Sequence, residues 1–151
     1  MRFQYHIFYL MKIMKMRVMV YTKNAQMKTY ADAIGQAFGV LVSDIPPAYP
    51  CEKERLVLIG VSASVIGSDV VSRFCSQLTK ERANNVALFI DGKPSTKAEE
   101  ALKETLKNAG TNVIEDTYYV KCGMFGRNIP IEKRQEIVEW VRKIQEKAQL
   151  Q

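Results

Sequence analysis

Arg17-Val18-Met19-Val20-Tyr21-Thr22-Lys23-Asn24-Ala25-Gln26-Met27-Lys28-Thr29-Tyr30-Ala31-Asp32-Ala33-Ile34-Gly35-Gln36-Ala37-Phe38-Gly39 changes periodicity within one short loop. Residues 17–21 are apolar on both sides of the alternation, the pattern of a strand covered on both faces in a parallel sheet. Met27, Tyr30, Ala31, Ile34, Ala37 and Phe38 then fall at helical spacing and form one apolar stripe. Gly39 closes the helix, because a left-handed residue is needed there and glycine adopts it without a Cβ clash. The unit is strand, loop, helix, with a loop that delivers its amides to a helix N-terminus.

The alternation repeats downstream. Val40-Leu41-Val42 predicts a short second strand, followed by Ile45-Pro46-Pro47-Ala48-Tyr49-Pro50, whose prolines forbid helix and central strand. Leu56-Val57-Leu58-Ile59-Gly60 predicts the third strand. A second helix is expected over roughly 69–80, with Val70, Val71, Phe74, Cys75 and Leu78 inward. Val86-Ala87-Leu88-Phe89-Ile90 is the fourth strand. Thr96 and Glu99 have capping-box spacing and start a third helix whose inward side is read as Ala98, Ala101, Leu102, Leu106 and Ala109. A fifth strand lies within 112–121. Pro130 opens a last helix with Ile137, Val138, Val141 and Ile144 inward.

Strict alternation argues for an α/β three-layer sandwich around a five-stranded parallel sheet, and that size matches the doubly wound fold whose strand order is 2-1-3-4-5. At 151 residues the chain reads as one domain over 16–151, preceded by an extension over 1–15. In that extension Phe3, Tyr5, Ile7 and Tyr9 alternate, so an extra edge strand is the competing reading. The apolar start is too short to span a bilayer and no cleavage site follows it, which speaks against membrane insertion and secretion. Cys51, Cys75 and Cys122 then read as reduced thiols of a cytoplasmic protein. Cys75 is read as a core filler.

The net charge of +6 is confined to one end. Arg2, Lys12, Lys15, Arg17, Lys23 and Lys28 precede the first acid, and residues 29–151 carry 16 basic and 16 acidic groups. A phosphate-tracking stripe on the folded body is not expected, which speaks against nucleic-acid binding. His6 is the only histidine and sits outside the repeating pattern, so a His-based triad or zinc site is not expected.

In an open sheet of this order, ligands lie beyond the strand carboxyl ends, where strand order reverses between strands one and three. Three loops meet there. The first is Thr22, Lys23, Asn24, Ala25, Gln26 and Met27, an anion site by virtue of the helix it starts. The second contains Ser62, Ala63, Ser64 and Val65, and the third Asp91 and Gly92. Ser62 and Ser64 read equally as loop hydroxyls or ligand contacts, and Asp91 as a turn former or an acceptor.

Over about residues 16–147 the chain resembles short-chain flavodoxins. The resemblance rests on the strand ending in Thr22, the helix with Ala31 and Ile34, and Leu58-Ile59-Gly60 before a serine loop. Leu88-Phe89 before a glycine loop and Tyr118-Tyr119-Val120-Lys121-Cys122-Gly123-Met124-Phe125-Gly126 complete it. It implies FMN held by the three loops, one-electron transfer, and a redox partner protein. An electron carrier then fits better than an enzyme. The family's first loop usually reads Ser/Thr-x-Thr-Gly-Asn-Thr. Here Thr22 keeps the first hydroxyl, while Asn24, Ala25, Gln26 and Met27 replace the rest. Two lost hydrogen bonds to a charged group correspond to about two to four decades of affinity. The alternative is therefore a flavodoxin-fold protein that has lost FMN and binds another small anion or a protein partner.

Related architectures fail on particular residues. A receiver domain needs acids where Tyr21-Thr22 and Gly60-Val61 stand, and Cys122 is spaced by four residues from Arg127 rather than the five of a small tyrosine phosphatase. A dinucleotide site needs a glycine-rich first loop, and 22–27 contains no glycine. The sequence leaves the oligomeric state open.

Overall fold

The computed structural model describes residues 14–150. The alternation at Phe3–Tyr9 lies outside them. Strand β1 (Met16–Tyr21) pairs in parallel with β2 (Val42–Asp44) on one side and with β3 (Glu54–Ser62) on the other. β3 pairs in parallel with β4 (Ala83–Asp91), and β4 carries β5 (Asn112–Val113) and β6 (Tyr118–Val120) on its far side. The order is the expected 2-1-3-4-5, with the fifth position filled by two segments. Asn85 faces Asn112 and Phe89 faces Tyr118, so four steps along β4 are matched by six on the facing chain. The extra length carries two acids outward. Asp116 accepts from Trp140 Nε1 at 3.3 Å and pairs with Lys147 at 3.1 Å. Glu115 pairs with Lys107 at 3.0 Å and Lys103 at 3.5 Å.

Alternate side chains of the central strands go to opposite cores, as the period of two demands. Val18, Val20, Leu56 and Leu58 face the layer of α1 (Ala25–Phe38) and α4 (Ile131–Gln149). Met19, Val57, Ile59 and Val61 face α2 (Asp69–Ser76) and α3 (Lys97–Ala109). The second layer has no helix between β2 and β3. The proline segment fills that place, and Ile45 and Cys51 are buried beneath it. Met14 is already part of the first core.

Gly39 ends α1 at φ +64°, as its position predicts. Several sequence expectations shift. β2 lies two residues later than Val40–Val42. α2 stops at Ser76 rather than near residue 80, because the chain turns through 77–82 to enter β4 at Ala83; Leu78 stays buried in that turn. Ala37 is exposed, and Gly35 is inward instead, where a Cβ would stand 2.6 Å from Val42 Cγ2. Ala98 and Ala101 are also exposed. The buried side of α3 presents Glu99 and Lys103, because Tyr119 of β6 supplies a partner there. Its hydroxyl lies 2.8 Å from both Glu99 carboxylate oxygens, and Lys103 pairs with Glu99 at 3.0 Å. Thr96 caps α3 through the Glu99 amide as expected, but the Glu99 carboxylate accepts from Ser95 N rather than from Thr96 N. Trp140 joins the inner side of α4. Among the described residues no helix is long and apolar enough to cross a membrane, and no cluster of three metal-ligating groups occurs.

Candidate functional site

β1 delivers Thr22 beside the end of β3, where Thr22 Oγ1 and Ser62 Oγ share a 2.5 Å hydrogen bond. The same Thr22 oxygen accepts from Asn24 N at 3.0 Å. Asn24 is extended and caps α1. Its Oδ1 accepts from Gln26 N at 2.8 Å and Met27 N at 3.2 Å. Two of the amides that a helix N-terminus offers to an anion are thus satisfied from within the chain.

The segment after β6 folds back across this turn. Asn24 Nδ2 donates to Gly123 O at 3.1 Å, and Gly123 N donates to Gln26 Oε1 at 2.6 Å. Thr29 Oγ1 donates to Arg127 O at 2.6 Å. Asp91 joins the third loop to both neighbours. Its carboxylate accepts from Cys122 N at 3.2 Å, and its carbonyl accepts from Ala63 N at 2.9 Å. Both bonds tie Asp91 to other segments of the chain and neither is a contact within its own turn. Burial first, and then the Asp91 carboxylate, push the Cys122 thiol up to about 12. Cys122 therefore stays protonated and is a poor nucleophile at neutral pH. Cys75 is fully buried, as its core reading requires, and burial raises it to about 12 as well.

Between the first loop and the 121–127 segment lies a cleft of about 400 Å³ bordered by Lys23, Asn24, Gly123 and Arg127. Neither Lys23 nor Arg127 has an ion-pair partner among the described residues. A neighbouring cleft of about 310 Å³ is lined by Tyr30, Gly92, Tyr118, Lys121 and Lys133. No acid lines either one.

The three predicted loops do converge. Lys23 and Ala25 are exposed, and Thr22, Asn24 and Gln26 are half-buried. Ser62 is buried, Ala63 and Ser64 are exposed, and Val65, Asp91 and Gly92 are half-buried. Met27 is different: its side chain is fully buried in the α1 core and only its amide belongs to the turn. Gly123, Phe125 and Arg127, which border the same turn, lie outside the residues expected from the sequence. The two glycines at 123 and 126 were the only local signal, and the contacts that place the segment are mostly to backbone.

Against known proteins, a solved structure titled as a flavodoxin from the domain Archaea superposes with a TM-score of 0.58. The alignment covers 90% of this chain and 99% of that one. The chain has the flavodoxin fold. Identity to that flavodoxin is 18%, and 14 solved chains match in all. No protein-family model and no curated protein matches the sequence. The likeness therefore lies in the order and spacing of elements. In this flavodoxin-fold chain the helix begins at Ala25, so the first loop is only Thr22, Lys23 and the capping Asn24.

Proposed function

We propose that this chain binds FMN at the carboxyl ends of β1, β3 and β4 and carries single electrons between partner proteins in the cytoplasm. The observation that carries the reading is the pair of unpartnered cations, Lys23 and Arg127, across a cleft next to the start of α1. That charge and the absence of acid suit a phosphate monoester. Val65, Ala63 and Gly92 offer an aliphatic seat for the ring, and Phe125, which is 86% exposed, is the nearby free aromatic. Bound FMN would supply the one-electron chemistry. The chain's part is to fix the phosphate, to orient the ring and to limit water around it. Met124 and Phe125, 89% and 86% exposed beside Lys121 and Arg127, support docking of a partner with an acidic, partly apolar face. Free thiols at Cys51, Cys75 and Cys122 support a reducing compartment.

A second reading, loss of FMN in favour of another small anion, is favoured by a specific observation. Thr22 Oγ1, Gln26 N and Met27 N are all engaged within the chain. Titration of the full chain with FMN, riboflavin and inorganic phosphate separates the two. The flavin reading expects saturable FMN binding. Lys23→Ala and Arg127→Ala should each weaken it roughly tenfold or more, the worth of one charge-assisted hydrogen bond, while leaving riboflavin unaffected. Phosphate binding sensitive to the same two changes, with no flavin binding, selects the second reading.

A further inference from the structure

Where the second layer lacks a helix, the proline segment and α2 enclose a cavity of about 210 Å³. Pro46, Cys51, Phe74 and Leu78 supply its apolar lining, and Arg73 and Arg82 stand at its polar side. No acid lines it. Neither arginine has an ion pair or a side-chain hydrogen bond among the described residues. A third cation backs the floor. Arg17 is 9% exposed, and its Nη1 lies 3.0 Å from Tyr49 O and 3.8 Å from Cys51 Sγ. Its Nη2 donates to Ser43 Oγ at 3.3 Å, while its Nε is buried without a partner. The cavity is therefore apolar in its walls and carries Arg73 and Arg82 at its polar side, while the Arg17 charge behind it is opposed by the buried Glu54 carboxylate.

We propose that this cavity binds a small organic monocarboxylate, with its apolar body against Phe74 and Leu78 and its carboxylate toward Arg73 and Arg82. Size, polarity and charge converge on that class. An apolar protein cavity of about 150 Å³ accommodates benzene, so the volume here suits one ring or a short branched chain plus a carboxylate. Guanidinium forks match a carboxylate, and their partial exposure keeps the desolvation cost low. A neutral apolar molecule would leave both arginines unused. Inorganic phosphate would leave Phe74 and Leu78 uncovered. The site is independent of the strand-end cleft, because Arg82 immediately precedes β4 whereas Asp91 ends it.

The test is titration of the full chain with benzoate, followed by calorimetry and amide chemical shifts, with benzyl alcohol and inorganic phosphate as comparison ligands. Expected is saturable binding with shifts centred on 70–78 and 46–51, and at least tenfold weaker binding of both comparison ligands. Arg73→Gln and Arg82→Gln, both at exposed positions, should each weaken benzoate at least fivefold. Val70→Trp should abolish binding by filling the cavity. FMN titrations should be unchanged by benzoate, so failure of the flavin reading leaves this result standing. The proposal is overturned by no saturation below about 20 mM benzoate. It is equally overturned by benzyl alcohol or phosphate binding as tightly as benzoate, or by arginine variants that bind like the parent.

Discussion

Asn24 ties two parts of the chain with one side chain: it caps α1 through Oδ1 and holds the 121–127 segment through Nδ2. Asn24→Ala should cost about 1–2 kcal/mol in urea unfolding, the usual range for a lost cap. It also frees the amides of Gln26 and Met27, so phosphate or FMN binding should tighten while stability falls. Unchanged or weaker anion binding in Asn24→Ala would contradict this competition between the cap and the cleft. Asn24→Asp keeps the cap acceptor, loses only the donor to Gly123, and should cost less. Glu54 gives a pH signature. It is buried, its Oε2 has no hydrogen-bond partner, and desolvation raises its carboxyl above 4.5 despite Lys15 at 3.8 Å. The unfolded chain ionises this group first, so the ionised carboxylate weakens the fold at neutral pH. Its contribution to stability should therefore rise as pH falls from neutral, through the raised folded value, toward 4.5. Glu54→Gln should flatten that part of the denaturant-midpoint profile; an unchanged slope would contradict the assignment.

The docking of α4 on the sheet is an element-scale matter. Trp140 meets Phe89 edge-on with ring centres 6.5 Å apart and Tyr118 at 5.6 Å, and its Nε1 reaches Asp116. Trp140→Ala should cost about 3–5 kcal/mol in thermal or denaturant unfolding. Trp140→Phe should cost well under half of that, because it keeps most of the ring. Elements with a strong local period were legible in the sequence: β1, α1 and α4 stand where periodicity put them, with Ile137, Val141 and Ile144 inward as expected, Ala37 exposed against its reading and Trp140 inward without having been expected there. The inner side of α3 was not. Glu99 and Lys103 are buried only because Tyr119, 20 residues beyond Glu99, completes their bonding, and no spacing along a helix encodes that. Burial of alanines is likewise a weak expectation, since so small a side chain gains little from leaving water. In the site, the loops that follow strands were legible from topology. The crossing by 121–127 was not, because side chains of Asn24 and of the first turns of α1 hold its backbone, and backbone groups carry no sequence signature.

At the scale of the whole molecule, two cores flank one sheet, and β3 and β4 are buried along most of their length. Amide hydrogen exchange should be slowest at 56–61 and 86–90, approaching the global unfolding free energy. It should be fastest over 124–128, where the residues are exposed and lie outside helices and strands. Protection spread evenly across the chain would contradict this hierarchy. The mismatch between β4 and its outer neighbours has a consequence of another kind. A continuous outermost strand is a template on which a second copy can add its own backbone. Here one flank of the sheet is broken between Val113 and Tyr118, and the opposite flank is the three-residue β2, followed closely by Pro46 and Pro47. Neither flank presents a long unbroken ladder of free amides and carbonyls among the described residues. The same irregularity that anchors α3 and α4 through Glu115 and Asp116 therefore guards the molecule against sheet-to-sheet aggregation.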